Sequence, residues 1–63
     1  MKVSKSQIEE LIDGCALLER FENLYEYCGT INGRLLFQNV SDDSHITASY
    51  EMLLTEPEYT IQY

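Results

Sequence analysis

Residues 24–40, LYEYCGTINGRLLFQNV, decide how the rest of this chain is read. At their centre sits Asn32-Gly33, the dipeptide that most readily takes the two positive φ angles of a type I′ turn. Tyr25, Tyr27, Thr30 and Ile31 before it, and Leu35, Leu36, Phe37 and Val40 after it, favour an extended backbone. The stretch is predicted to be a β-hairpin and the nucleus of a small antiparallel sheet. A two-residue loop sets the register: Ile31 opposes Arg34, Thr30 Leu35, Gly29 Leu36, Cys28 Phe37, Tyr27 Gln38 and Tyr25 Val40. One face then carries Leu24, Cys28, Leu35 and Phe37, the other Tyr25, Tyr27, Ile31, Leu36 and Val40. Both faces are largely apolar, and one helix of about four turns covers only one of them. Either the second face meets another molecule, or a β-bulge re-aims part of a strand.

Upstream, Ile8, Leu11, Ile12, Cys15 and Leu18 follow the i, i+3, i+4, i+7 spacing of one helical face. Two capping boxes compete for the start, Ser6 with Glu9 and Ser4 with Gln7. The spacing predicts a helix from about Gln7 to Arg20, with Gly14 inside it at a cost of about 1 kcal/mol relative to alanine. Phe21, Tyr25 and Cys28 extend the stripe, which leaves open a longer helix ending at Gly29. Asn23 and the Tyr25-x-Tyr27 alternation favour the shorter helix, a turn near Glu22-Asn23 and a strand from about Leu24 to Ile31.

Downstream, Ser41-Asp42-Asp43-Ser44 is a turn cluster. Ile46, Ala48, Tyr50, Met52 and Leu54 then alternate with mostly polar residues, which predicts a strand over 46–54; a helix capped by Ser44 is the competing reading. Thr55–Glu58 makes a turn around Pro57, and Tyr59, Ile61 and Tyr63 mark a last strand. The expected fold is one α+β domain over residues 1–63, an N-terminal helix packed on an antiparallel β-meander of three or four strands.

Sixty-three residues bury only about 60% of the surface they expose when unfolded, so self-association or a staple often helps a chain this short. Eleven acids against four bases give a formal net charge of -7. That field repels nucleic acid and anionic lipid, so no direct nucleic-acid or membrane binding is expected, and it attracts basic protein surfaces. The start MKVSKSQIEE turns acidic before any apolar run develops, and no apolar run nears the ~20 residues that span a bilayer. A cytoplasmic protein with reduced thiols is the simplest expectation, a Cys15–Cys28 bridge the alternative.

Chemistry is poorly represented. His45 beside Asp42 and Asp43 has no second histidine with which to build a metal site, so a solvated turn is preferred and no metal or cofactor is expected. Cys15 and Cys28 lack a C-x-x-C context or a neighbouring base and read as buried structural residues, not nucleophiles. No glycine-rich phosphate loop occurs. Nothing pairs a nucleophile with a base, so the chain is not expected to be an enzyme.

The candidate partner-binding residues are therefore acids and tyrosines. Glu9, Glu10, Asp13, Glu19 and Glu22 group on the helical stretch, and Asp42, Asp43, Glu56 and Glu58 in turns. A solvated face is the plain reading of each group. Tyr25 and Tyr27 are candidate anchors, because a buried tyrosine needs a hydrogen-bond partner that a tiny core rarely offers. A very short, acidic, aromatic-rich α+β chain without catalytic residues resembles small inhibitors encoded by phages and mobile elements. The resemblance lies in general character and covers no motif. It implies an anti-restriction or anti-CRISPR type of inhibitor or modulator, whose acids mimic nucleic acid toward a host nucleic-acid-binding protein. The alternative is a structural or regulatory homo-oligomer, or an antitoxin or immunity protein, in which acidity serves only solubility. A homodimer is expected from the uncovered sheet face.

Overall fold

The computed structural model describes residues 3–63; residues 1 and 2 lie outside them. The elements are α1 (Lys5–Ile12), β1 (Leu17–Arg20), β2 (Asn23–Ile31), β3 (Arg34–Asn39), β4 (His45–Ala48), α2 (Tyr50–Thr55) and β5 (Tyr59–Gln62). The strands form one sheet in the order β4-β3-β2-β1-β5, antiparallel at every seam. The class is α+β, with five strands where three or four are expected from sequence. β1 to β4 form a meander, and α2 carries the chain across so that β5 pairs on the far side of β1.

The helix is shorter than the Gln7–Arg20 expected. Ser4 caps it: its hydroxyl accepts from Gln7 N–H at 3.3 Å while Gln7 Oε1 accepts from Ser4 N–H at 2.9 Å, the second of the two candidate boxes. It ends at Asp13 in a Schellman motif. Gly14 N–H donates to the Leu11 carbonyl at 3.1 Å and Cys15 N–H to the Glu10 carbonyl at 2.9 Å. Gly14 has φ 80, so it forms the turn that ends the helix and does not lie inside it. Residues 17–20, freed from the helix, become β1.

The Asn32-Gly33 hairpin forms as expected, with Ile31, Thr30 and Gly29 opposite Arg34, Leu35 and Leu36. Beyond that the register slips by a bulge between Tyr27 and Gly29, so Tyr27 opposes Phe37 and Tyr25 opposes Asn39 in place of the expected Gln38 and Val40. Gly29 takes φ 148, which glycine accepts readily. One inserted residue changes the parity of the strand. Tyr25 and Tyr27 turn to the same side as Leu35 and Phe37, and Cys28 is left exposed.

The strand predicted over 46–54 breaks at Ser49, whose hydroxyl accepts from Met52 N–H at 3.1 Å and starts α2. Ile46 and Ala48 still face inward from β4, and Leu53 joins them from α2. The core is Val3, Ile8, Leu11, Ala16, Leu18, Tyr25, Leu35, Phe37, Ala48, Leu53 and Tyr59. Both helices contribute to it, so both lie on one side of the sheet. Leu17, Leu24 and Leu36 alternate with core residues along their strands, so they belong to the opposite face and do not pack against the core. Cys15 and Cys28 are free and exposed, contrary to the buried reading; one falls in the turn after α1 and the other is the bulge residue.

Candidate functional site

The register brings three connections to one end of the sheet. They are the Phe21-Glu22 turn between β1 and β2, the residue 40–44 loop between β3 and β4, and the residue 56–58 turn before β5. Together they carry Glu22, Asp42, Asp43, Glu56 and Glu58, five of the eleven acids. Five strands set these connections across about 19 Å, at about 4.8 Å per strand spacing.

Arg20 is the only lysine or arginine in these segments and the strand ends that carry them. Its Nη2 lies 3.0 Å from Glu58 Oε2, and its Nε donates to the same oxygen at 3.1 Å. The guanidinium carbon sits 4.9 Å from the Phe21 ring centroid and 5.5 Å from that of Tyr59. Arg20 is thus held between one exposed and one buried aromatic ring.

Phe21 and Glu22 are the central residues of a two-residue turn and have φ 50 and 68, the signs of a type I′ turn. For a bulky residue the left-handed region costs about 1–2 kcal/mol. Phe21 is 69% exposed and lies outside the core, and a cation–π contact at an exposed site returns only about 0.5–1 kcal/mol. The contact therefore offsets the strain only in part.

The 40–44 loop is built on Asn39, a buried polar residue at 3% exposure. Its Oδ1 accepts from Ser41 N–H at 2.8 Å and Asp42 N–H at 3.3 Å, while its own N–H donates to the Ser44 carbonyl at 2.7 Å. Asp42 in turn accepts from the Ser44 hydroxyl at 2.7 Å and the Ser44 amide at 2.9 Å. The hydroxyl first, then the amide, holds its carboxyl below the usual carboxylate range. Asp43 has φ 63 and accepts from Gln38 Nε2 at 3.2 Å. These carboxylates are ordered anions, not a loose charged tail.

The other acids expected at a binding surface lie elsewhere. Glu9 is exposed on α1, and Asp13 is the cap residue of that helix. Glu10 accepts from the Tyr63 hydroxyl at 2.7 Å. Glu19 lies in β1 and not on a helix; its Oε1 accepts from Thr60 Oγ1 and Gln62 Nε2, each at 3.0 Å. Of the two candidate anchors, Tyr25 is a core residue, and Tyr27 is half-buried with its ring edge-on to Phe37 at 6.1 Å. The bulge moves both inward. Sequence reasoning missed Phe21, Arg20 and Asn39 as parts of this end of the molecule. Among the described residues no group of three or more His, Cys, Asp or Glu side chains is placed to hold a metal ion. No described helix is long and apolar enough to cross a membrane.

Comparison with protein-family models, with curated proteins and with solved structures finds no match to this chain.

Proposed function

We propose that this chain is a non-catalytic inhibitor or modulator that offers the acidic end of its sheet to a basic surface on a nucleic-acid-binding protein. The observation that carries this reading is the gathering of Glu22, Asp42, Asp43, Glu56 and Glu58 at one end, where Arg20 is already tied to Glu58. With Glu58 paired to Arg20, the other four carboxylates over about 19 Å give roughly one charge per 5 Å. A nucleic-acid strand carries about one per 3.4 Å and a duplex about one per 1.7 Å, so the acidic end is sparser than either and nearer to a single phosphate row. The N-terminal helix packed on the meander is scaffold in this reading, and Glu9, Glu10, Asp13 and Glu19 add long-range field, not contacts. The protein works in the cytoplasm, the host's if the chain is phage-encoded.

The test is a pull-down from host lysate at low and high salt, with DNA and RNA as competitors. A basic partner released by salt and displaced by nucleic acid is expected, because exposed charges are screened beyond about 10 Å at 0.1 M salt and over shorter distances as salt rises. A partner held equally at high salt, or none, defeats the reading.

The second reading is a homo-oligomeric structural or regulatory module, with an antitoxin or immunity protein as a variant. It is favoured by Leu17, Leu24 and Leu36, which the chain's own helices leave uncovered. Sedimentation at micromolar concentration and high salt separates the two: a monomer sets this reading aside.

A further inference from the structure

We propose that Phe21 is a preformed anchor that enters an apolar pocket, rimmed by Lys and Arg, on the partner protein. This rests on the basic-partner reading above and names the residue that makes the central contact.

The chain contains its own control. It builds two hairpin turns with positive φ at both central residues, Asn32-Gly33 at φ 51 and 76 and Phe21-Glu22 at φ 50 and 68. The first uses the residues such a turn prefers. The second puts a bulky ring where asparagine or glycine fits without strain, and leaves that ring 69% exposed. Folding gains only the Arg20 contact from phenylalanine there, which is no more than the strain costs, so the choice of phenylalanine is explained by a contact outside the folded monomer.

The ring is also held in place. It lies against the Arg20 guanidinium, which is backed by Tyr59, a core residue at 1% exposure, and fixed by Glu58. An aromatic positioned this way loses little freedom on binding. Val40, 48% exposed, adds apolar surface at the same end.

The surrounding charge selects the occupant. Glu22 and Glu58 border the ring's turn, one in sequence and the other across the β1–β5 seam, so the pocket's rim is basic. A second copy of this chain would set the same acids against themselves, and an anionic lipid surface would be repelled.

The test uses Phe21→Asn, which keeps every charge and relieves the turn. The probe is the host protein retained by the wild-type chain at about 0.1 M salt and released at about 1 M, purified and titrated calorimetrically. Phe21→Asn is expected to melt no lower than wild type, and up to about 10 °C above it, yet bind the purified protein at least about tenfold more weakly. Phe21→Trp should bind within about threefold of wild type. Unchanged affinity in Phe21→Asn overturns the anchor while leaving the basic partner in place. A lower melting temperature also overturns it, because Phe21 then serves the fold. If the wild-type chain retains no salt-released protein, the basic-partner reading fails, and the anchor with it.

Discussion

Arg20 of β1 and Glu58, one residue before β5, meet at 3.0 Å across the seam that joins the two ends of the sheet's connectivity. Both side chains are about a quarter to a third exposed, so the ion pair alone is worth up to about 1 kcal/mol. The guanidinium also stacks on the Phe21 and Tyr59 rings. Arg20→Ala is therefore expected to lower stability by about 1–2 kcal/mol in urea unfolding, and Glu58→Gln by less, since it keeps the stack.

Asn39 organises the acidic 40–44 loop from a buried position. Asn39→Ala leaves the Ser41 and Asp42 amides without their acceptor. A loss of about 1–3 kcal/mol is expected, and hydrogen exchange at Ser41–Ser44 should quicken more than in β2. An effect confined to global unfolding would show that the loop holds itself.

Tyr59 makes the alkaline limb of stability. Burial, the largest influence, raises its phenol above the ordinary value near 10. The folded state therefore holds that proton more tightly than the unfolded state. This stabilisation is complete below pH 10 and fades as pH rises through the folded value. Melting temperature should fall upward from about pH 10. Tyr59→Phe should flatten that fall, and Tyr63, raised by its hydrogen bond to Glu10, supplies a smaller remainder.

The face opposite the helices gives a separate test. Leu36→Thr sits beside Thr47 of β4 and outside the core, so monomer stability should change by no more than about 0.5 kcal/mol. If two copies associate through this face, the same change should shift sedimentation toward monomer, and Arg34→Glu should shift it further.

Local signals with one interpretation were legible. Asn32-Gly33 placed the turn and the first three cross-strand pairs; Tyr59, Ile61 and Tyr63 placed the last strand. Signals that compete at short range were not. Ile8 to Leu18 reads as one helical stripe, although Asp13-Gly14 is a stop signal, because Leu18 happens to suit both a long helix and a buried strand position. Ile46 to Leu54 alternates with only Leu53 out of place, yet Ser49 caps a helix in the middle of it. The extra residue at Cys28 left only Gly29 as a hint, and it reversed the side on which Tyr25 and Tyr27 lie. For the site, the acids were visible one by one. Their convergence depends on β1 existing, which the long-helix reading removed. Nothing in Phe21-Glu22 announces a type I′ turn, since its residues oppose that geometry.

The pairing of β5 with β1 also bears on how the chain is made. The meander from β1 to β4 zips through short turns, whereas β1 and β5 join residues about forty positions apart. During synthesis Leu17–Arg20 therefore waits as a bare ladder edge until Tyr59–Gln62 has emerged. A nascent or clipped chain ending before Tyr59 offers that edge, with Leu17 and Leu18 on it, to any extended segment nearby. Intermolecular strand pairing is then in competition with completion of the fold, and the winner depends on how soon the last strand arrives.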